Sequence, residues 1–276
     1  MEDENCVMKK INIEELKELQ LQILVQVDKY CRSRKIEYFI GYGTLIGAVR
    51  HGGYIPWDDD IDICMTRPNY DKFIKSFNGA YRHLEVYAPE LNWEYYAPYA
   101  NVCDKRTILN EGKNSHRGIR IGVKIDIFPI DGVPSDIESY RRLRKRIYRI
   151  WSCLCAKRNA LSSNNWKRKI VVIIRRIISF PYSYAFLQRC ICKLSTANKF
   201  EASDYVDRIV FLDLAETRCC KSVFEQYIDI EFEGYSLRTI KEYDFYLRKI
   251  YGDYMQLPPK EEQVMRHNFE AYWLNG

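Results

Sequence analysis

The sequence predicts an α+β fold, a mixed sheet flanked by helices, with an additional helical basic segment. Three observations predict it. An apolar stripe at helical spacing opens the chain, two distant stretches alternate acids with apolar residues at period two, and a long block between them and the tail is helical and basic. A chain of 276 residues, 47% hydrophobic and 14% aromatic, can build a packed core.

The elements follow in order. Ile13 to Arg34 reads as an amphipathic helix, with Leu16, Leu19, Ile23, Val27 and Tyr30 three or four residues apart. Glu37 to Gly41 predicts a strand, followed by a glycine turn and a short helix through Leu45 to Val49. Arg50-His51-Gly52-Gly53-Tyr54-Ile55-Pro56 predicts a loop leading into a strand over Asp60–Met65. A helix starts near Pro68, which suits a first turn, and buries Tyr70, Phe73, Ile74 and Phe77. Strands follow near His83–Tyr87 and Tyr95–Cys103, then at Gly122–Phe128, ended by Pro129 and the turn Asp131-Gly132. From Ser135 to about Thr196 the pattern is two or three helices, broken around Ser162–Asn165 and at Pro181. Tyr227 to Leu237 predicts a hairpin turning at Glu233-Gly234, and Ile240 to Ile250 a helix stopped by Gly252. A last helix includes His267.

Charge is segregated. Between Glu138 and Glu201 there are 16 of the 43 Lys and Arg residues and none of the 37 acids, so the rest of the chain is net acidic despite an overall +6. Such a block points to an anionic partner: nucleic acid, an anionic membrane surface or a phosphorylated substrate. The stretch Lys167 to Phe180 mixes cations with apolar residues, as an interfacial helix would, or as a core-facing helix with a solvated basic side would. The acidic N-terminus lacks a secretory profile and no uncharged apolar run approaches the roughly 20 residues of a membrane span, which predicts a cytoplasmic chain. In that compartment the ten cysteines are expected to be reduced thiols, and their spacings are not those of a zinc site.

The chemistry concentrates in Trp57-Asp58-Asp59-Asp60-Ile61-Asp62-Ile63, just after Gly41-Tyr42-Gly43-Thr44. On a strand Asp60 and Asp62 share a face, about 6–7 Å apart at their Cα atoms, while the isoleucines enter the core. Two such carboxylates repel unless a cation lies between them, and a divalent metal is the simplest one. Asp126 sits on a second strand with the same alternation. The glycine turn either receives a phosphate on free N–H groups or serves packing.

A helix-opening Gly-Thr, then Asp-apolar-Asp-apolar, then a distant inward acid is the pattern of the DNA polymerase β type nucleotidyltransferase fold. More narrowly, Gly43–His51, Gly53–Pro56, Trp57–Ile63, Ile125–Gly132, Tyr251–Met255, Leu257-Pro258-Pro259 and His267-Asn268 resemble the LicD/fukutin family of phosphotransferases. That resemblance implies transfer of a phospho-alcohol, typically phosphocholine, from a CDP- or CMP-activated donor to a sugar hydroxyl of a glycan or its lipid-linked precursor, with CMP leaving. It implies Mg²⁺ or Mn²⁺ held by Asp60, Asp62 and Asp126, with Asp58 joining if the strand begins early. Asp126 is a further ligand or the general base, and His267 falls in the tail motif. Gly43 and Thr44 face the donor, and Arg50 and His51 neutralise pyrophosphate. Trp57 stacks on cytosine or fills the core, and Lys124 touches phosphate or pairs with a carboxylate.

The implied organisation is a catalytic core over residues 1–134, a basic helical subdomain over 135–200 and a C-terminal part over 201–276 that completes the catalytic domain. Peripheral attachment to the inner membrane face is the role the basic block invites. Two alternatives remain: a true nucleotidyltransferase releasing pyrophosphate, and a nucleic-acid-binding module. No RNA or DNA motif supports the second, and no nucleic-acid partner is expected.

Overall fold

The computed structural model describes residues 8–110, 119–158, 166–210, 216–265 and 270–274. Its elements in chain order begin with β1 (Lys10–Ile11), α1 (Ile13–Arg34), β2 (Phe39–Ile40), α2 (Tyr42–His51), β3 (Asp62–Thr66) and α3 (Arg67–Ser76). Next come β4 (Leu84–Tyr87), β5 (Ala100–Asp104), β6 (Thr107–Asn110), β7 (Lys124–Val133), α4 (Ile137–Arg158), α5 (Trp166–Ser179) and α6 (Tyr184–Ser195). The chain ends with β8 (Tyr205–Asp207), β9 (Cys219–Cys220), β10 (Tyr227–Phe232), β11 (Tyr235–Ile240), α7 (Tyr243–Tyr251) and β12 (Glu270–Trp273). The result is a mixed α/β architecture around one curled sheet.

That sheet has the order β2-β3-β7-β5-β4, with β8 and β9 added along the far end of β7. β3 and β7 run parallel, while the other pairs are antiparallel. Alternation along the strands gives the sheet two different faces. Ile61, Ile63, Met65, Ile125 and Ile127 belong to the main core under α1 and α3, where Leu16, Leu19, Ile23, Tyr70 and Phe73 are buried. Cys64, Phe128 and Ile130 look the other way, into a second core with Phe39, Tyr42, Val206, Phe224 and Tyr246. The acids at positions 62 and 126 share parity with this second face.

α1 spans the expected residues. Asn12 caps it by accepting the Glu15 N–H at 2.8 Å, and Lys35 ends it in the left-handed region at φ 52°. The β10–β11 hairpin turns at Glu233 (φ 50°) and Gly234 (φ 75°), two left-handed residues that suit the right-handed twist of a two-residue turn.

β7 departs from expectation. It was expected to stop at Pro129, yet it runs on to Val133 through Asp131-Gly132. The Asp126 N–H donates to Ile61 O at 2.9 Å on the β3 side, so alternate residues such as Pro129 point their nitrogen the other way. There, pairing with β5 has ended at Ile127 and pairing with β8 begins only at Asp131. The missing proline N–H therefore falls in a gap that needs no donor. Asp131 is fully buried and fixed by Arg67, whose Nε and NH2 donate to it at 2.6 and 3.0 Å while NH1 reaches Glu90 at 3.1 Å. The motif acid at 131 thus clamps the start of α3 to the sheet.

The segment after residue 135 forms α4, α5 and α6, with a third core made by Tyr140, Leu143, Ile147, Leu154, Leu187 and Ile191 together with Ile209 and Val210. The chain's end folds back to its beginning: β12 lies between β1 and β6 in a separate three-stranded sheet.

Candidate active site

β3 begins at Asp62, two residues later than expected, so Asp58 and Asp60 lie in the approach to the strand. The parallel register sets Asp62 directly opposite Asp126 and Ile63 opposite Ile127. Neighbouring strands lie about 4.8 Å apart, which brings these two carboxylates onto one face as close neighbours. Asp62 keeps partial solvent access. The depth of its setting pushes its pKa well above the usual carboxylate range, Asp60 and then Asp126 add to the rise, Arg208 opposes it, and Asp58 contributes a smaller push. Four acids therefore act on one another around Asp62.

The glycine turn is a device for fixing this strand. Gly41 caps α2 and donates its N–H to Asp62 O at 3.0 Å, while the buried Thr44 hydroxyl accepts the Asp62 N–H at 2.8 Å. Tyr42, between the glycines, is left-handed at φ 50°, a conformation that costs a non-glycine residue about 1–2 kcal/mol. Its buried ring offsets this by packing edge-on to Phe128 at 5.7 Å and against Tyr246 at 6.2 Å. Gly43 is needed for proximity, since a Cβ there would stand 2.5 Å from Asp58 Oδ2. The first turn of α2 thus faces the Asp58 carboxylate, a favourable place for an anion near a helix N-terminus. Gly47 serves packing, because a Cβ would meet Gly53 O at 2.3 Å.

Asp126 is oriented from both sides. Lys124, on the same strand face, donates from Nζ to Asp126 Oδ1 at 2.8 Å, so of its two expected roles the structure displays the ion pair. Asn101, opposite Asp126 on β5, donates its amide to the same oxygen, and the hydroxyls of Tyr95 and Tyr96 donate to the Asn101 carbonyl. The buried Gln20 amide on α1 donates to Asp59 O at 3.1 Å and Lys124 O at 3.3 Å, tying the acidic loop to the head of β7.

The fixed cation comes from far along the chain. Arg208 is 8% exposed, follows β8, and lays its guanidinium 3.8 Å over the Tyr42 ring and 5.0 Å from that of Phe128. Stacking on an aromatic face holds such a group in place and largely desolvated, and its charge opposes part of the rise at Asp62. Asn101, Gln20 and Arg208 are the site residues that sequence reasoning missed. Gln20 left a signal, a polar residue in the apolar stripe of α1; Asn101 and Arg208 left none, because their partners are remote in sequence.

The remaining expected residues divide. Arg50 turns NH1 to Tyr254 O at 2.7 Å and Gln256 O at 3.3 Å, so it fastens the tail motif to α2. His51 is exposed and edge-on to Trp57 at 6.2 Å; partial burial and then Arg50 lower its pKa. Trp57 is partly buried against the main core. His267 lies outside the described residues, and the next described stretch, Glu270–Trp273, is a strand.

Among the described residues no three His, Cys, Asp or Glu side chains close into a ready metal cage. The donor chemistry nevertheless fits a hard divalent ion: Asp60, Asp62 and Asp126 offer oxygen ligands only, and their mutual repulsion at Asp62 is what a cation relieves. Mg²⁺ is commonly held by one or two carboxylates with substrate phosphates completing its shell, which an open set of acids permits.

Comparison with known proteins addresses the same region. The family model described as the LicD/FKTN/FKRP nucleotidyltransferase domain matches residues 35–138, from β2 through the whole of β7. An uncharacterized protein of Rickettsia typhi is 46% identical over 87 residues, covering 29% of this chain and 28% of its own. A second uncharacterized protein, from Rickettsia prowazekii, is 46% identical over 57 residues, covering 20% of this chain and 21% of its own. The lipopolysaccharide cholinephosphotransferase LicD of Haemophilus influenzae is 32% identical over 278 residues, which takes in 97% of this chain and 100% of that protein. With similarity running through the acidic strands, the basic helices and the tail alike, this chain belongs to the LicD family of phosphotransferases.

Proposed function

We propose that the protein transfers phosphocholine, or a closely related phospho-alcohol, from a CDP- or CMP-activated donor to a sugar hydroxyl of lipopolysaccharide or a similar cell-surface glycan, releasing CMP. The observation that carries this reading is the parallel register that sets Asp62 beside Asp126, with Asp60 adjoining and Arg208 facing them. The family relationship supports the reaction class, and the H. influenzae relative's name supplies phosphocholine and lipopolysaccharide. In this reading the sheet is the catalytic core of a polymerase β type nucleotidyltransferase fold.

Asp60, Asp62 and Asp126 would hold the divalent ion, Mg²⁺ or Mn²⁺, with Asp58 near enough to join. When bound, that ion supplies positive charge against the donor's diphosphate and the departing CMP. Arg208, held over the Tyr42 ring and beside that of Phe128, presents a cation that needs little reorganisation as charge builds on the leaving phosphate. Asn101 and Lys124 hold the Asp126 carboxylate in one orientation, from which it takes the proton of the attacking hydroxyl. Such general-base help is worth about 10²–10⁴-fold. Trp57, beside the acidic loop and edge-on to His51, is assigned to the donor's cytosine.

The test is product analysis. A panel of CDP- and CMP-activated alcohols is incubated with Mg²⁺ and sugar acceptors. Wild type is expected to release CMP only when acceptor is present, and Asp60→Ala to lose that release. Pyrophosphate from a nucleoside triphosphate would mark nucleotide transfer instead, and equal CMP from the variant would overturn the assignment.

A further inference from the structure

α5 is an amphipathic helix turned inside out. At about 100° per residue, Ile170, Ile173, Ile174, Ile177 and Ile178 fill an arc of roughly 140°. Every one of them is exposed, Ile177 by 67% and Ile178 by 61%, and Phe180 just beyond the helix is 84% exposed. The opposite side meets the protein through polar groups: Ser179 is buried, Arg176 Nε donates to Ala156 O at 2.7 Å, and Arg175 lies 6.0 Å from the Tyr148 ring. A surface helix in water does the reverse, burying its apolar stripe. Of the two expected arrangements, the core-facing helix with a solvated basic side is not the one displayed: Arg175 and Arg176 are half-buried against the protein, Lys169 at the edge is exposed, and the isoleucines face out.

We propose that this face of α5 docks the enzyme on an anionic lipid surface. Apolar side chains of this size enter the headgroup boundary, while cations at the rim meet lipid phosphates. The charge is complementary, since the segment from Ser139 to Phe200 carries 16 Lys and Arg and no acid. The stacked aromatics Tyr182 and Phe186, 5.4 Å apart and both exposed, extend the patch into the following turn. Among the described residues no single helix is long and apolar enough to cross a membrane. α5 and α6 together pass that measure with a 92° bend, but α6 buries Leu187, Gln188 and Ile191 in the protein, and Gln188 donates to Tyr95 O and Ala97 O at 2.8 and 2.9 Å. The helix accordingly lies on the surface of the bilayer. That docking would present a lipid-borne acceptor to the site rests on the proposed function; the docking itself does not.

Flotation of the full chain with vesicles tests this, with no donor or acceptor present. Binding to vesicles of equal phosphatidylglycerol and phosphatidylcholine is expected to exceed binding to pure phosphatidylcholine at least tenfold at low salt. The double variant Ile174→Glu, Ile177→Glu is expected to lose at least tenfold of that binding with unchanged circular dichroism and melting temperature. No binding by wild type, or equal binding by the variant, would overturn the proposal. So would a wild-type dimer that the variant dissociates, since a second copy would then cover the face, or binding of RNA in place of vesicles. Asp62→Asn is expected to float like wild type, so a failure of the catalytic reading leaves this result independent.

Discussion

Asp62 is held in a setting that disfavours its own charge, with burial first and Asp60 and Asp126 next among the causes. In the absence of metal its folded-state pKa lies above its unfolded value. The folded protein then binds the extra proton between those values and loses stability as pH rises above the ordinary carboxylate range. Asp62→Asn removes that penalty. In EDTA at pH 7.5 the variant is expected to melt a few degrees above wild type, since about 1 kcal/mol corresponds to roughly 2–4 °C in domains near this size. The difference should shrink towards pH 4, while transferase activity falls by roughly 10²-fold or more. Melting curves at the two pH values check the first point and an activity assay the second. At this scale Asp62 and Asp126 were legible because strand alternation places them without any tertiary knowledge, whereas Asp58 and Asp60 lie in the approach to the strand. Asn101 and Arg208 were not, because each becomes a site residue only when a remote segment arrives beside the acidic strands.

Among the elements, α1 was legible to the residue, since its stripe, its Asn12 cap and its end at Arg34 are all local signals. β7 was misread and the facing of α5 left open, for opposite reasons. Pro129 carries a strong local stop signal that the gap between β5 and β8 cancels. The isoleucines of α5 carry a strong burial signal that nothing among the described residues answers. The link between α2 and the tail likewise rests on tertiary contact, with Arg50 donating to Tyr254 O and Gln256 O. Arg50→Ala leaves these carbonyls without that donor and is expected to destabilise the protein by about 1–2 kcal/mol. Urea unfolding should show a lower midpoint at unchanged slope; an unchanged midpoint would mean that solvent satisfies the tail equally well.

Across the whole molecule, the site is assembled from pieces distant in sequence: the α2 turn and acidic loop, β5 with Asn101, β7 with Asp126, and Arg208 after the basic helices. One curled sheet makes this possible by placing its acids and its aromatic second core on the same face. The outward face of α5 belongs to a different surface problem, which the run of 16 Lys and Arg without an intervening acid already announces in the sequence. The family relationship covers nearly all of this architecture, and the paired acids are the chemical centre we propose for it. Calorimetric titration of CDP-choline into wild type and Asp62→Asn, with Mg²⁺ and again with EDTA, tests that centre most directly. Wild type should bind the donor at least tenfold more tightly with Mg²⁺, and the variant should lose that gain. Donor binding indifferent to both the metal and Asp62 would contradict the placement of the donor on these strands.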